Sequence, residues 1–187
     1  MINTIITDFD GTLVDTFEAN LKAYQKAFSE CGLSISEQQY RECFGLRYDG
    51  FMAAMGITDA ETATRIKEVK KQCYPEFFQY LKPNKALIEL ISSFKAMGGK
   101  TAVASTARKE NLMNVINYLG IADCFDLIYA GSDVKEGKPS PEIYLKAMDA
   151  LKSAPENTII FEDSEVGIQA AKASGAHCMI IPNSQFK

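Results

Sequence analysis

Asp8 and Asp10 stand two residues apart at the end of a run rich in β-branched residues that begins at Ile2, and Gly11 follows them at once. Side chains alternate along extended backbone, so the two carboxylates share one face and lie side by side. Buried carboxylates without partners are costly, which makes acid at the end of a buried strand unusual as pure structure. The pair either holds a cation, or divides the work of a nucleophile and a proton carrier, and the two uses are compatible. Other chemistry-bearing residues follow apolar runs in the same way. Ser105 and Thr106 come after 101–104, Gly131-Ser132-Asp133 after 127–130, and Glu162 and Asp163 after 158–161. Lys138 lies in a loop just ahead of a predicted helix.

These groups need elements that carry them to one place. Residues 2–7 are too few for a helix and read as a buried strand. Over 17–31, Leu21, Tyr24, Ala27 and Phe28 fall at helical spacing, and Gly32 supplies a stop. Ser36 with Gln39, and Thr58 with Glu61, are capping-box signals for two further helices. The first of these runs to about Cys43 and the second to about Leu81, with a kink or break expected at Pro75. A short helix is predicted over 49–55. From Asn84 the pattern changes to alternation: helix 84–97, strand 101–104, helix 109–119, strand 127–130, a helix from Pro141, strand 158–161, helix 165–174 and strand 178–181. Such alternation predicts an α/β fold, a mostly parallel sheet with helices on both faces. The all-helical stretch 16–82 reads as an inserted cap domain, leaving 1–15 and 83–187 as the core. In sheets of this kind ligands bind beyond the carboxyl ends of the strands, where Asp8, Asp10, Ser105, Asp133, Glu162 and Asp163 all fall.

Composition narrows the partners. At 187 residues, with 47% hydrophobic and 24% charged residues, the chain is long enough for one sizeable core and a small accessory module. A net charge of −4 with no basic run argues against nucleic acid as a partner, but leaves room for a small anionic substrate met by local positive charge. Cys31, Cys43, Cys73, Cys124 and Cys178 are odd in number and widely spaced, without a Cys-x-x-Cys pair. They fit reduced thiols buried as small hydrophobes better than a zinc site or a disulfide framework. No apolar segment spans a bilayer and the N-terminus lacks a signal pattern, so a cytoplasmic protein without membrane attachment is expected.

The motifs carry a resemblance. Asp8-Phe9-Asp10-Gly11-Thr12-Leu13 resembles the first motif of the haloacid dehalogenase-like superfamily of phosphotransferases. Ala102-Val103-Ala104-Ser105-Thr106 resembles the second, although a helix N-cap would use the same residues. Gly137-Lys138-Pro139-Ser140-Pro141-Glu142-Ile143-Tyr144 resembles the third, with Ser140 and Pro141 suited to N-cap and first helical position. The run from Phe161 to Ala176, containing Glu162, Asp163, Ser164, Gly167 and Gly175, resembles the fourth as found in the β-phosphoglucomutase and phosphoglycolate phosphatase branch.

That resemblance implies a Rossmann-like core with a helical cap, and a Mg²⁺-dependent phosphatase acting on a small phosphorylated metabolite, such as a sugar phosphate, as a monomer. It implies Asp8 as nucleophile, forming an aspartyl-phosphate, and Asp10 as the acid and then the base. Asp8, the Asp10 backbone carbonyl and Asp163 would hold the Mg²⁺, with Glu162 beside them. Ser105 and Lys138 would stabilise charge on the transferring group, with Thr106 next to the phosphate. Arg47, in the cap beside Gly45, is a candidate clamp for a distal anionic group. Arg108 and Lys109 are similar candidates, and His177 is given no catalytic role.

Rival readings are carried by single residues. A β-phosphoglucomutase-like isomerase has a histidine five residues beyond the position of Asp15, where this chain has Asn20, and often a serine where Ala107 stands. Both departures favour hydrolysis. A dehalogenase has no need of Asp10, and a silent binding protein has no need of Asp8, Asp10, Ser105, Lys138 and Asp163 together. Phosphonate cleavage would need a cap lysine; Lys22 on the first cap helix is one, although a solvated face explains it better.

Overall fold

The computed structural model describes residues 1–182 and 186; residues 183–185 and 187, the end of the expected core, lie outside the described residues. In chain order, β1 (Thr4–Thr7) and the two-residue β2 (Val14–Asp15) come first. Helices α1 (Phe17–Glu30), α2 (Glu37–Cys43), α3 (Tyr48–Ala54) and α4 (Ala60–Cys73) follow, with a 3-10 segment over Tyr74–Tyr80. Next are β3 (Lys82–Pro83), α5 (Lys85–Ala96), β4 (Lys100–Ala104), α6 (Lys109–Leu119) and β5 (Leu127–Tyr129). The order closes with α7 (Glu142–Ala150), β6 (Thr158–Glu162), α8 (Glu165–Ala173) and β7 (His177–Ile180).

The chain divides into two compact units, one of Met1–Asp15 with Lys82–Lys187 and one of Thr16–Leu81. The division falls after Leu81 rather than after Lys82, because Lys82 pairs with Asp15 in the antiparallel β2–β3 ladder.

In the first unit the other five strands form one sheet in the order β5-β4-β1-β6-β7, every pairing parallel. All four residues of β1 are buried, as expected of a central strand covered on both faces. Ile6, Ala102, Ala104 and Ile160 pack on Ile143, Tyr144, Ala147 and Met148 of α7 and on Ala170 and Ala171 of α8. The alternate residues Ile5, Val103 and Phe161 face the other way and are also buried. Each large aliphatic side chain so buried contributes about 1.5–3 kcal/mol of transfer free energy. Because β4 and β6 flank β1 in parallel register, the carboxyl ends of these strands open on one edge of the sheet.

The helical unit has its own core, in which Leu21, Ala27 and Phe28 of α1, Tyr40 of α2, Phe51 and Met52 of α3, and Ile66 and Val69 of α4 are buried together. The Ser36–Gln39 capping box forms in both directions. Asp59, rather than Thr58, caps α4 by accepting from the Thr62 N–H at 2.7 Å, since a carboxylate one residue later serves the same orphan amide. Pro75 breaks the long helix outright: α4 stops at Cys73 and the chain continues as 3-10 turns, because proline lacks the N–H and crowds the preceding turn.

Candidate active site

The site is built where β1, β4 and β6 end. The Asp8 N–H donates to the Phe161 carbonyl at 2.9 Å, so Asp8 continues the ladder with β6 by one residue before the chain turns away. The Ser105 N–H does the same toward β5, donating to the Tyr129 carbonyl at 3.0 Å. Glu162 is the last residue of β6, and Asp163 begins the turn into α8.

Lys138 joins these strand ends. Its ammonium donates to Asp8 Oδ1 at 2.5 Å, to Glu162 Oε1 at 2.6 Å and to the Ala104 carbonyl at 3.1 Å. Its side chain is only 3% exposed. Burial alone would strip the proton from a lysine. The surrounding charges, Asp8 foremost, outweigh burial and hold the ammonium well above the ordinary lysine pKa. The loop that delivers it is tied down by Glu142, whose carboxylate accepts from the N–H groups of Lys135 at 2.9 Å and Glu136 at 2.7 Å. Pro141 stands at the N-cap of α7, and Glu142 is the first helical residue, one position later than the sequence predicts.

Acid outnumbers base in this cluster. Asp8, Glu162 and Asp163 each bring a carboxylate oxygen to within 4.8 Å of the others. Burial pushes the Asp8 carboxyl well above the ordinary aspartate value, aided by the charges of Glu162 and Asp163 and opposed by the Lys138 ammonium. Burial likewise raises Asp163, to about 6, against the hydrogen bond it accepts from Thr12. One ammonium leaves an excess of negative charge, and the donors are all hard oxygens, so the residues present fit a divalent cation such as Mg²⁺.

Each acid has a different surround. Glu162 is wholly buried. Its Oε1 accepts from Lys138 and, at 2.6 Å, from the Tyr144 hydroxyl. Its Oε2 accepts from the Asp163 N–H at 3.0 Å and from the Ser164 N–H and hydroxyl at 3.2 Å, which folds the side chain under the start of α8. Asp163 Oδ1 accepts from the Thr12 hydroxyl at 2.6 Å. Gly11 lies against the same carboxylate with φ of +90°, and a Cβ there would stand 2.3 Å from Asp163 Oδ2. Asp10 is half-buried and accepts from Ser105 Oγ at 3.4 Å.

Ser105 is buried and also accepts from the Ala107 N–H at 3.0 Å, closing the turn after β4. It is not a helix N-cap, since α6 starts later, with Arg108 at its cap. Thr106 follows in the same turn, half-buried. Lys109 donates to the Ile128 carbonyl and, at 3.2 Å, to Asp133, which also accepts from the Ala130 N–H. Both are thereby committed to shaping the end of β5. Arg47 is exposed in the helical unit, at the N-cap of α3. In that unit Lys22 rests over the Tyr80 ring at 4.6 Å and lies 3.8 Å from Glu18. His177 is the exposed first residue of β7, with its ring 3.2 Å from the Glu156 carbonyl.

Sequence reasoning passed over two residues here, Thr12 and Tyr144. Both lie inside quoted motifs. The available signal was polarity on a face that must be buried: a tyrosine on the sheet side of α7 needs a partner for its hydroxyl. It also gave Gly167 only a general packing role. A Cβ on Gly167 would lie 1.9 Å from Glu162 Oε1, so this glycine makes the space that the carboxylate occupies. Gly167→Ala is expected to cost about 1–3 kcal/mol of stability, as overpacking does. Moving Glu162 by about 1 Å displaces Lys138 and is expected to lower turnover on the order of 100-fold. Chemical denaturation and steady-state kinetics on the variant check both figures.

A family model described as haloacid dehalogenase-like hydrolase matches residues 5–181. The phosphorylated carbohydrates phosphatase of Thermotoga maritima is 32% identical over 180 residues, covering 93% of this chain and 82% of that protein. Among solved structures, CbbY from Rhodobacter sphaeroides in complex with phosphate superposes with a TM-score of 0.88 at 29% identity, over 97% of this chain and 87% of that one. A mutant of the same protein, in complex with xylulose-(1,5)bisphosphate, gives a TM-score of 0.85 at 29% identity and the same coverage. β-Phosphoglucomutase from Clostridium difficile gives 0.82 at 26% identity, over 100% of this chain and 87% of that one.

Proposed function

The chain belongs to the haloacid dehalogenase-like hydrolase family, and from that premise we propose that it is a magnesium-dependent phosphatase of a small phosphorylated metabolite. The observation that carries this reading is the Lys138 ammonium lodged between Asp8 and Glu162, beside Asp163, at the carboxyl edge of the sheet. A phosphoric monoester hydrolase needs an oxygen nucleophile, cations to meet the phosphoryl charge, and a group that moves a proton to the leaving oxygen.

In the first half-reaction Asp8 attacks phosphorus and the bond to the alcohol oxygen breaks as the aspartyl-phosphate bond forms. The Asp10 carboxyl gives its proton to the departing alkoxide. In the second half, Asp10 takes a proton from water, the resulting oxygen attacks phosphorus, and the Asp8 carboxylate is released together with inorganic phosphate. Lys138 and Ser105 bear on the charge of the transferring group. Thr106 stands beside Ser105 in the same turn and is assigned to phosphate binding. Mg²⁺ would be held by Asp8, the Asp10 carbonyl and Asp163, and when bound it supplies positive charge to the phosphoryl oxygens.

Hydrolysis is favoured over phosphoryl return by Asn20, whose carboxamide donates to the Thr16 carbonyl at 3.1 Å within α1 and is neither acid nor base. Small phosphorylated sugars are the substrate class suggested by the names of the relatives, the phosphorylated carbohydrates phosphatase above all. Arg47 is assigned to a second anionic group on such a substrate.

The test is phosphate release from a panel of sugar phosphates and other small phosphomonoesters, with and without Mg²⁺, using Asp8→Asn as the blank. Chelation is expected to abolish release and Mg²⁺ to restore it. Because a proton on Asp163 competes with the cation, the Mg²⁺ needed for half-restoration should rise as pH falls through about 6. Full activity in chelator would sink the metal assignment. Conversion of a hexose 1-phosphate without net phosphate release would replace the phosphatase with a mutase.

A further inference from the structure

Lys138 shares its carboxylate partner with a second donor. Glu162 Oε1 accepts from the lysine at 2.6 Å and from the Tyr144 hydroxyl at 2.6 Å. Tyr144 is wholly buried, its ring packs among Ile6, Ala102, Ile143 and Ala147, and the Lys138 ammonium lies 5.0 Å from the centre of that ring. The same tyrosine therefore touches Lys138 through the face of its ring and Glu162 through its hydroxyl. It comes from the first turn of the helix that Lys138 precedes, the same turn whose Glu142 ties down the lysine's loop.

We propose that Tyr144 is a positioning residue for the reaction, acting on Lys138 through Glu162. An oxygen that accepts two hydrogen bonds offers less of its charge to each donor. With the Tyr144 hydroxyl in place, Glu162 anchors the ammonium without withdrawing it from Asp8 at 2.5 Å, and the lysine stays shared between the two carboxylates. Without the hydroxyl, Oε1 has one donor and draws Lys138 toward itself, away from the nucleophile and the phosphoryl group. The phenyl ring would still fill the core, so the effect belongs to the hydroxyl alone.

This inference rests on the phosphatase reading, and the experiment separates the two. Tyr144→Phe, Lys138→Met and the double variant are compared with the wild type for kcat and KM on the best substrate of the panel, and for melting temperature. The expected result is a fall in kcat on the order of 10-fold for Tyr144→Phe, the size usual for groups that orient a reacting one. KM should change less than kcat, because Lys138 is needed most for the charge that develops as the phosphoryl group transfers. In the Lys138→Met background, removing the hydroxyl should cost less than about twofold more, since the group it acts through is gone. A wild-type kcat in Tyr144→Phe, an equal loss in both backgrounds, or failure of Tyr144→Phe to fold would each overturn the positioning role while leaving the phosphatase reading intact. A wild type that releases no phosphate, or an active Asp8→Asn, would sink both.

Discussion

Replacing Asp8 by Asn is expected to bring phosphate release down to the uncatalysed background while leaving the melting temperature no lower than that of the wild type. The carboxamide has the shape of the carboxylate but no charge, and its oxygen is too weak a nucleophile to open a phosphate ester. The stability half of the expectation follows from burial. Because burial raises the Asp8 carboxyl above the ordinary aspartate value, the folded protein holds its proton more tightly than the unfolded chain. Ionised Asp8 therefore lowers stability as pH rises above the unfolded value of about 3.9. Asparagine carries no such cost at neutral pH, and Lys138 keeps Glu162 as its partner. Turnover by Asp8→Asn, or a marked fall in its melting temperature, would count against Asp8 as a nucleophile held at the expense of stability.

Lys138→Met is expected to lower kcat about 10²–10³-fold, the usual cost of losing one preorganised group that meets developing charge. Methionine fills much of the lysine's volume, so the loss is electrostatic. It also leaves Asp8 and Glu162 buried without their shared cation, a change that costs on the order of 3–5 kcal/mol. The stability loss has a defined pH dependence. Asp8, raised by burial and now without the ammonium that opposed the rise, binds its proton more tightly folded than unfolded, so stability falls as pH rises above about 4, the ordinary carboxylate value. The variant should melt higher at about pH 5 than at about pH 7.5 for this reason, and thermal unfolding at both values checks it. A variant whose stability matches the wild type at neutral pH would mean that the lysine does not neutralise this cluster.

The sequence alone determined the parts that depend on neighbours along the chain. Periodicity placed the strands and helices, because each element must bury a face at its own repeat, and capping signals such as Ser36 with Gln39 stated where a helix begins. Alternation of element types after Asn84 was enough for a parallel sheet, since parallel strands need crossovers. Motif order brought Asp8, Ser105, Lys138 and Asp163 forward as one set, because each follows or precedes a strand or helix whose end can be read locally.

What only the tertiary structure decided is who touches whom across that edge. Glu162 reads in sequence as one more acid beside a metal ligand. Its partners, Lys138 and Tyr144, are 24 and 18 residues away, and no periodicity relates them. Asp133 reads as one more acid at a strand end, yet it is held by Lys109 and the Ala130 N–H. Gly167 reads as a close-packing glycine, and only coordinates show that the space belongs to a carboxylate. The physical reason is common to all three. Backbone geometry repeats over a few residues and can be read from a short stretch of chain. The charge balance of a buried cluster depends on side chains brought together only when the sheet forms, and strand ends far apart in sequence then share one low-dielectric edge.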